Sequence, residues 1–171
     1  MDETEAVVFD FDGVIAKPIG KDTLLTPGSI AKIELYAGIE EVIDYIIKKY
    51  KIGIITQNKH GTVWQILREK KLPFNIQIVG DENSELAEKR LNYIIGVRLR
   101  VQPSETVYIG DRVPDIQAGV DNKVKRVIVA AYGDGIRDNL ERMMSKFNAD
   151  RNITTRIEMV ESPKEILNYL N

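Results

Sequence analysis

Two short acidic stretches, far apart in the chain, carry residue types suited to metal-assisted chemistry. In the first, Val7-Val8-Phe9 runs into Asp10-Phe11-Asp12-Gly13-Val14, so two carboxylates one residue apart follow an apolar run. In the second, Thr106 to Ile109 runs into Gly110-Asp111, and Asp115 lies one helical turn further on. Apolar, β-prone residues that end in Asp and Gly read as a buried strand stopping at an acidic turn. Carboxylates brought together repel unless a cation sits among them, and oxygen-only ligands select a hard ion such as Mg2+. The chain has no cysteine, which excludes disulfides, zinc-thiolate sites and thiol nucleophiles. Two carboxylates on Mg2+ leave positions open for water and a phosphate oxygen, so phosphate chemistry follows. A carboxylate approaching a phosphate ester meets repulsion of about 4 kcal/mol per unit charge at close range and intermediate dielectric. A metal and a nearby ammonium make that approach feasible.

The elements that must position these groups alternate along the chain. Apolar runs at Ala6–Phe9, 52–55, 76–79, 106–109 and 126–130 predict five strands. The second stops at Thr56-Gln57-Asn58 and the third at Gly80-Asp81. Between them, helical periodicity covers 39–50, 61–71, roughly 84–99 (with Gly96 near its end) and 136–147. Residues 14–37, with Pro18, Gly20, Pro27 and Gly28, predict an irregular flap with one short helical turn. Ser162-Pro163-Lys164-Glu165 reads as a helix start, with Ser162 as cap and Glu165 reaching back. Strands separated by crossover helices pair in parallel, so their C-terminal ends share one sheet edge, where ligands bind in open α/β folds. The expected fold is therefore α/β: a Rossmann-like, doubly wound, mainly parallel five-stranded sheet with helices on both faces. Asp10, Asp12, Thr56, Asp81, Asp111 and Asp115 then collect along one rim.

The length of 171 residues suits a single domain spanning 1–171. Twenty-four basic against twenty-six acidic residues give a net charge of -2, no general reason to expect nucleic acid or an anionic membrane as partner. No stretch is long and apolar enough to span a bilayer, and the default location is cytoplasmic. A calcium loop beginning at Asp10 fails, because Lys21 stands where the last position needs Glu. Gly133 and Gly135 lack the spacing of a dinucleotide loop, and a lone loop histidine, His60, is more often incidental than a ligand.

Three motifs in order, Asp10-x-Asp12-Gly13-Val14, Ile54-Ile55-Thr56 and Gly110-Asp111-x-x-x-Asp115, resemble those of haloacid dehalogenase-like (HAD) phosphatases over nearly the whole chain. The resemblance implies a Mg2+-dependent phosphomonoester hydrolase acting through an aspartyl-phosphate. Asp10 would be the nucleophile. Asp12 would be the general acid toward the leaving alcohol and then the general base for water. Thr56 and the backbone amide of Gln57 would hold the phosphoryl oxygens. Asp10, the backbone carbonyl of Asp12, Asp111 and Asp115 would hold the metal. The family's phosphate-neutralising lysine, often followed by Pro, has no such match near Leu86, and Lys89 is the expected substitute ahead of Arg90 and Lys59. That displacement also leaves open a catalytically weak scaffold or regulatory binding protein. The spacing leaves no room for a separate cap domain. An open site either admits bulky substrates, such as phosphoproteins or nucleic-acid ends, besides small molecules, or is closed by a second copy through flap residues Ile15, Ile19, Leu24 and Leu25.

Overall fold

A computed structural model describes residues 3–18, 27–73, 75–80 and 86–170. Its first strand, β1 (Ala6–Asp10), is apolar on both faces because it lies at the middle of the sheet and is covered on each side. Val7 and Phe9 pack on one side against α2 (Ile39–Ile46) and α3 (His60–Glu69). Ala6 and Val8 face the other side, where Leu91, Ile116 and Leu140 close a second core. Those three residues belong to α4 (Ala87–Tyr93), α5 (Val113–Asp121) and α6 (Arg137–Ala149). The remaining strands are β2 (Lys51–Ile55), β3 (Gln77–Val79), β4 (Thr106–Gly110), β5 (Arg126–Ala130) and β6 (Arg156–Val160).

The named strands all pair in parallel, in the order β3-β2-β1-β4-β5-β6. The chain winds outward from β1 through β2 to β3, then returns to β4 on the other side and winds outward again. The point where this order reverses lies between β1 and β4, and in open α/β sheets the crevice beyond the strand ends at such a point is the binding site. The register pairs Phe9 with Ile109 and Asp10 with Ile55, so Asp10, Thr56 and Asp111 leave three adjacent strands within a residue of one another.

Among the described residues the sheet has six strands rather than the expected five. β6 escapes a search for apolar runs because Arg156 and Glu158 alternate with Ile157 and Met159, the pattern of an edge strand with one covered face. The helix expected over roughly 84–99 is α4 followed by a π-helical turn, Ile94–Leu99, which ends at Arg100 with φ 55. The terminal helix is of 3-10 type, Pro163–Tyr169, and Glu165 accepts from Ser162 Oγ and from the Glu161 backbone. The flap contains the short α1 (Pro27–Ile30), and Ile15 is fully buried in this chain's own core. Ile19, Leu24, Leu25 and Asp81 lie outside the described residues. Among the described residues no separate unit interrupts β1 to β2 or β2 to β4, and no helix is long and apolar enough to cross a membrane.

Candidate active site

β1 delivers Asp10 to the rim, and a tight turn follows immediately. Ile15 and Ala16 donate their backbone N–H groups to the Phe11 carbonyl, and Gly13 donates to Ala16. Gly13 has φ 82, a left-handed conformation that glycine adopts without strain. It must also be glycine for space, since a Cβ there would stand 2.1 Å from Asp111 Oδ2. The turn therefore lies directly against the end of β4.

Asp10, Asp111 and Asp115 each offer a carboxylate oxygen, and the three oxygens lie within 4.8 Å of one another. Asp115 is locked by its neighbours. Tyr108 donates its hydroxyl to Asp115 Oδ1 at 2.8 Å, and the backbone N–H groups of Asp111 and Arg112 donate to Oδ2 at 3.1 and 3.0 Å. This is an acidic residue in the first turn of α5 satisfying donors that the helix cannot. Asp111 is fully buried; its Oδ2 accepts the Asp134 backbone N–H at 2.8 Å, while its Oδ1 is buried with no hydrogen-bond partner. The loop after β5 presses on it: a Cβ at Gly133 would stand 2.3 Å from the Gly13 carbonyl and 2.5 Å from Asp111 Cβ. Gly133 and Gly135, dismissed as a nucleotide loop, are thus glycines because the wall behind Asp111 has no room for side chains.

Burial, reinforced by the neighbouring carboxylates, pushes the Asp10 carboxyl well above its ordinary range. Burial also raises Asp115, against the lowering effect of its three hydrogen bonds. Asp111 is pushed up to about 6, chiefly by burial. Two buried carboxylates and a half-buried one, with one oxygen orphaned, form a set that is electrostatically incomplete and offers oxygen ligands only. That donor set fits a hard divalent cation.

Beside the cluster, Thr56 is buried and pinned by its backbone N–H to the Val79 carbonyl. Asn58 follows in the same turn, donating its backbone N–H to Thr56 Oγ1 at 3.0 Å and its side-chain amide to Asp12 Oδ2 at 2.6 Å. Sequence reasoning passed over Asn58; the signal available was its place two residues after the strand-ending Thr. A cleft of about 180 Å³ opens here, lined by Asp10, Asp12, Thr56, Gln57, Arg90 and Arg112 among others. Lys89, the expected cation, is exposed, whereas Arg90, its neighbour on α4, is 4% exposed and lines the cleft. Successive helical residues point about 100° apart, and the face that packs Leu91 and Ile94 on the sheet turns Arg90 inward and Lys89 out. Lys59 and His60 are exposed at the start of α3.

The model of the haloacid dehalogenase-like hydrolase family matches residues 25–129. No curated protein matches the chain by sequence. Solved structures match in fold across both chains. One is a haloacid dehalogenase-like family hydrolase from Streptococcus pneumoniae, with TM-score 0.74 at 14% identity, covering 98% of this chain and 99% of that one. A protein from Haemophilus somnus, described as a predicted phosphoglycolate phosphatase, gives TM-score 0.73 at 12% identity with 100% of both chains covered. A protein from Clostridium acetobutylicum, described as a predicted phosphatase, gives TM-score 0.69 at 18% identity, covering 98% of this chain and 100% of that one. At such identities the likeness is one of fold, and it matches the doubly wound parallel sheet and its switch point. With the family's model spanning well over half of its length, the chain belongs to the haloacid dehalogenase-like hydrolases.

Proposed function

We propose that this chain is a Mg2+-dependent phosphomonoester hydrolase that works as a single capless domain through a phosphorylated Asp10. The observation that carries this reading is the convergence of Asp10, Asp111 and Asp115 within 4.8 Å at the sheet's switch point, beside a cleft lined by Asp12 and Arg90. A Mg2+ ion held by these three carboxylates and the Asp12 carbonyl would neutralise charge between the attacking carboxylate and the phosphoryl group.

The chain's own residues supply the rest. Asp10 attacks phosphorus and forms an acyl phosphate, while the bond to the leaving oxygen breaks and its electron pair stays on that oxygen. Asp12 gives that oxygen a proton, then takes one from the water that attacks phosphorus, so that inorganic phosphate leaves and Asp10 is restored. Phe11 donates its backbone N–H to Asp10 Oδ1 at 2.9 Å, fixing the carboxylate plane for attack. Thr56 and the Gln57 amide hold the phosphoryl oxygens, and Arg90 supplies the cation that Lys89 was expected to give. Arginine suits that task, since its fork can bind two phosphoryl oxygens at once. The scaffold alternative had drawn on the absent lysine, and a guanidinium in the cleft takes that support away. The substrate is a phosphomonoester, small or macromolecular.

Turnover of p-nitrophenyl phosphate by the purified chain, with Mg2+ and with chelator, tests the reading. Activity should require Mg2+ and vanish in Asp10→Asn; the same turnover in that variant would remove the nucleophile assignment.

A further inference from the structure

Asn58 is half-buried in the turn that leaves β2, and it touches both sides of the proposed chemistry. Its backbone N–H bonds Thr56 Oγ1 at 3.0 Å, and its side-chain Nδ2 bonds Asp12 Oδ2 at 2.6 Å and approaches Thr56 Oγ1 at 3.4 Å. The position is held from behind. A Cβ at Gly80 would stand 2.7 Å from the Asn58 carbonyl and 2.4 Å from the His60 nitrogen, so the end of β3 is packed against this turn without slack.

The two contacts have different consequences. A hydroxyl that accepts from the backbone two residues on keeps its own proton to donate, which leaves Thr56 Oγ1–H available to a phosphoryl oxygen. A carboxylate whose Oδ2 is held by an amide N–H has its plane and rotamer fixed, and proton transfer to a leaving oxygen depends on that alignment. An amide fits between these two acceptors because it donates without adding charge to a cleft that must admit a phosphoryl dianion.

We propose that Asn58 is a positioning residue that aims the Asp12 carboxyl at the leaving oxygen. This rests on the phosphatase reading above.

The test compares kcat/KM, which covers steps through departure of the leaving group, for p-nitrophenyl phosphate and for the best-used member of a panel of simple alkyl phosphates. Nitrophenolate departs without a proton and an alkoxide does not. Asn58→Ala should therefore lower the alkyl-to-aryl ratio of kcat/KM at least tenfold. Asn58→Asp, with the same shape but no amide donor to hold Asp12, should lower it as well. A second readout needs no turnover: in metal-free protein, the Asn58 side-chain amide resonances should move on Asp12→Ala. If both substrates lose activity alike, or the ratio holds, or those resonances stay in place, the positioning role is wrong while the phosphatase reading stands. If the wild type turns over neither ester with Mg2+, the phosphatase reading falls and takes this inference with it.

Discussion

Asp10 and Tyr108 act in opposite directions on the acidic cluster. Asp10 adds a half-buried carboxylate whose ionisation desolvation and its neighbours oppose, whereas Tyr108 places a hydroxyl donor on Asp115 Oδ1. Asp10→Asn should therefore lower turnover by roughly a thousandfold or more while raising the metal-free melting temperature by a few degrees at pH 7.5. Kinetics and calorimetry on the same sample check both, and loss of activity with loss of stability would point to misfolding rather than to a missing nucleophile. Tyr108→Phe keeps the ring, which is fully buried in the second core, and removes only the donor. Leaving Asp115 Oδ1 short of a donor should cost about 1–3 kcal/mol and weaken divalent-ion affinity by roughly 10–100-fold, measured by denaturant melts and by Mg2+ titration.

At the scale of elements, the place of Arg90 follows from how α4 lies on the sheet. Leu91, Ile94 and Ile95 fix the buried face, and Arg90 at its border enters the cleft. Arg90→Ala should accordingly reduce kcat/KM by about a hundredfold, as removal of one transition-state donor does elsewhere, and Lys89→Ala should stay within about twofold of wild type. The reverse pattern would mean that α4 is turned by one residue from the arrangement described. Sequence pattern alone reached much of this arrangement. Strong apolar runs ending in Asp or Thr marked β1, β2 and β4, because those strands are covered on both faces and keep their polar residues at their ends. It missed β6, whose charged residues alternate at the sheet edge, and ranked the exposed Lys89 ahead of the buried Arg90, because spacing along a helix does not tell which side faces the sheet. Asn58 and the Gly133–Gly135 wall stayed hidden for a related reason: each matters only through a partner remote in the chain, Asp12 in one case and Asp111 in the other.

For the molecule as a whole, the cluster at the switch point should make stability depend on pH and on divalent metal together. Folding buries Asp111 and raises its carboxyl from 3.8 to about 6, and it raises Asp10 and Asp115 as well. In the metal-free state the folded chain thus holds protons that the unfolded chain has already lost. Stability from this source is complete below pH 3.8 and falls as pH rises through about 6, because the unfolded state binds fewer protons over that span. Ion-paired Glu34 and Glu161 work the other way, but their carboxyls are lowered from 4.5, so they lose their contribution only in stronger acid. Between pH 5 and 7.5 the aspartate cluster should dominate, and the metal-free melting temperature should decline across it. A divalent ion takes the place of those protons and binds best once they have gone. Saturating Mg2+ should consequently raise the melting temperature more at pH 7.5 than at pH 5.5, and calorimetry at the two pH values, with chelator and with Mg2+, measures the difference. An equal gain at both would mean that the ion does not sit among Asp10, Asp111 and Asp115, since binding there must displace the protons that burial retains.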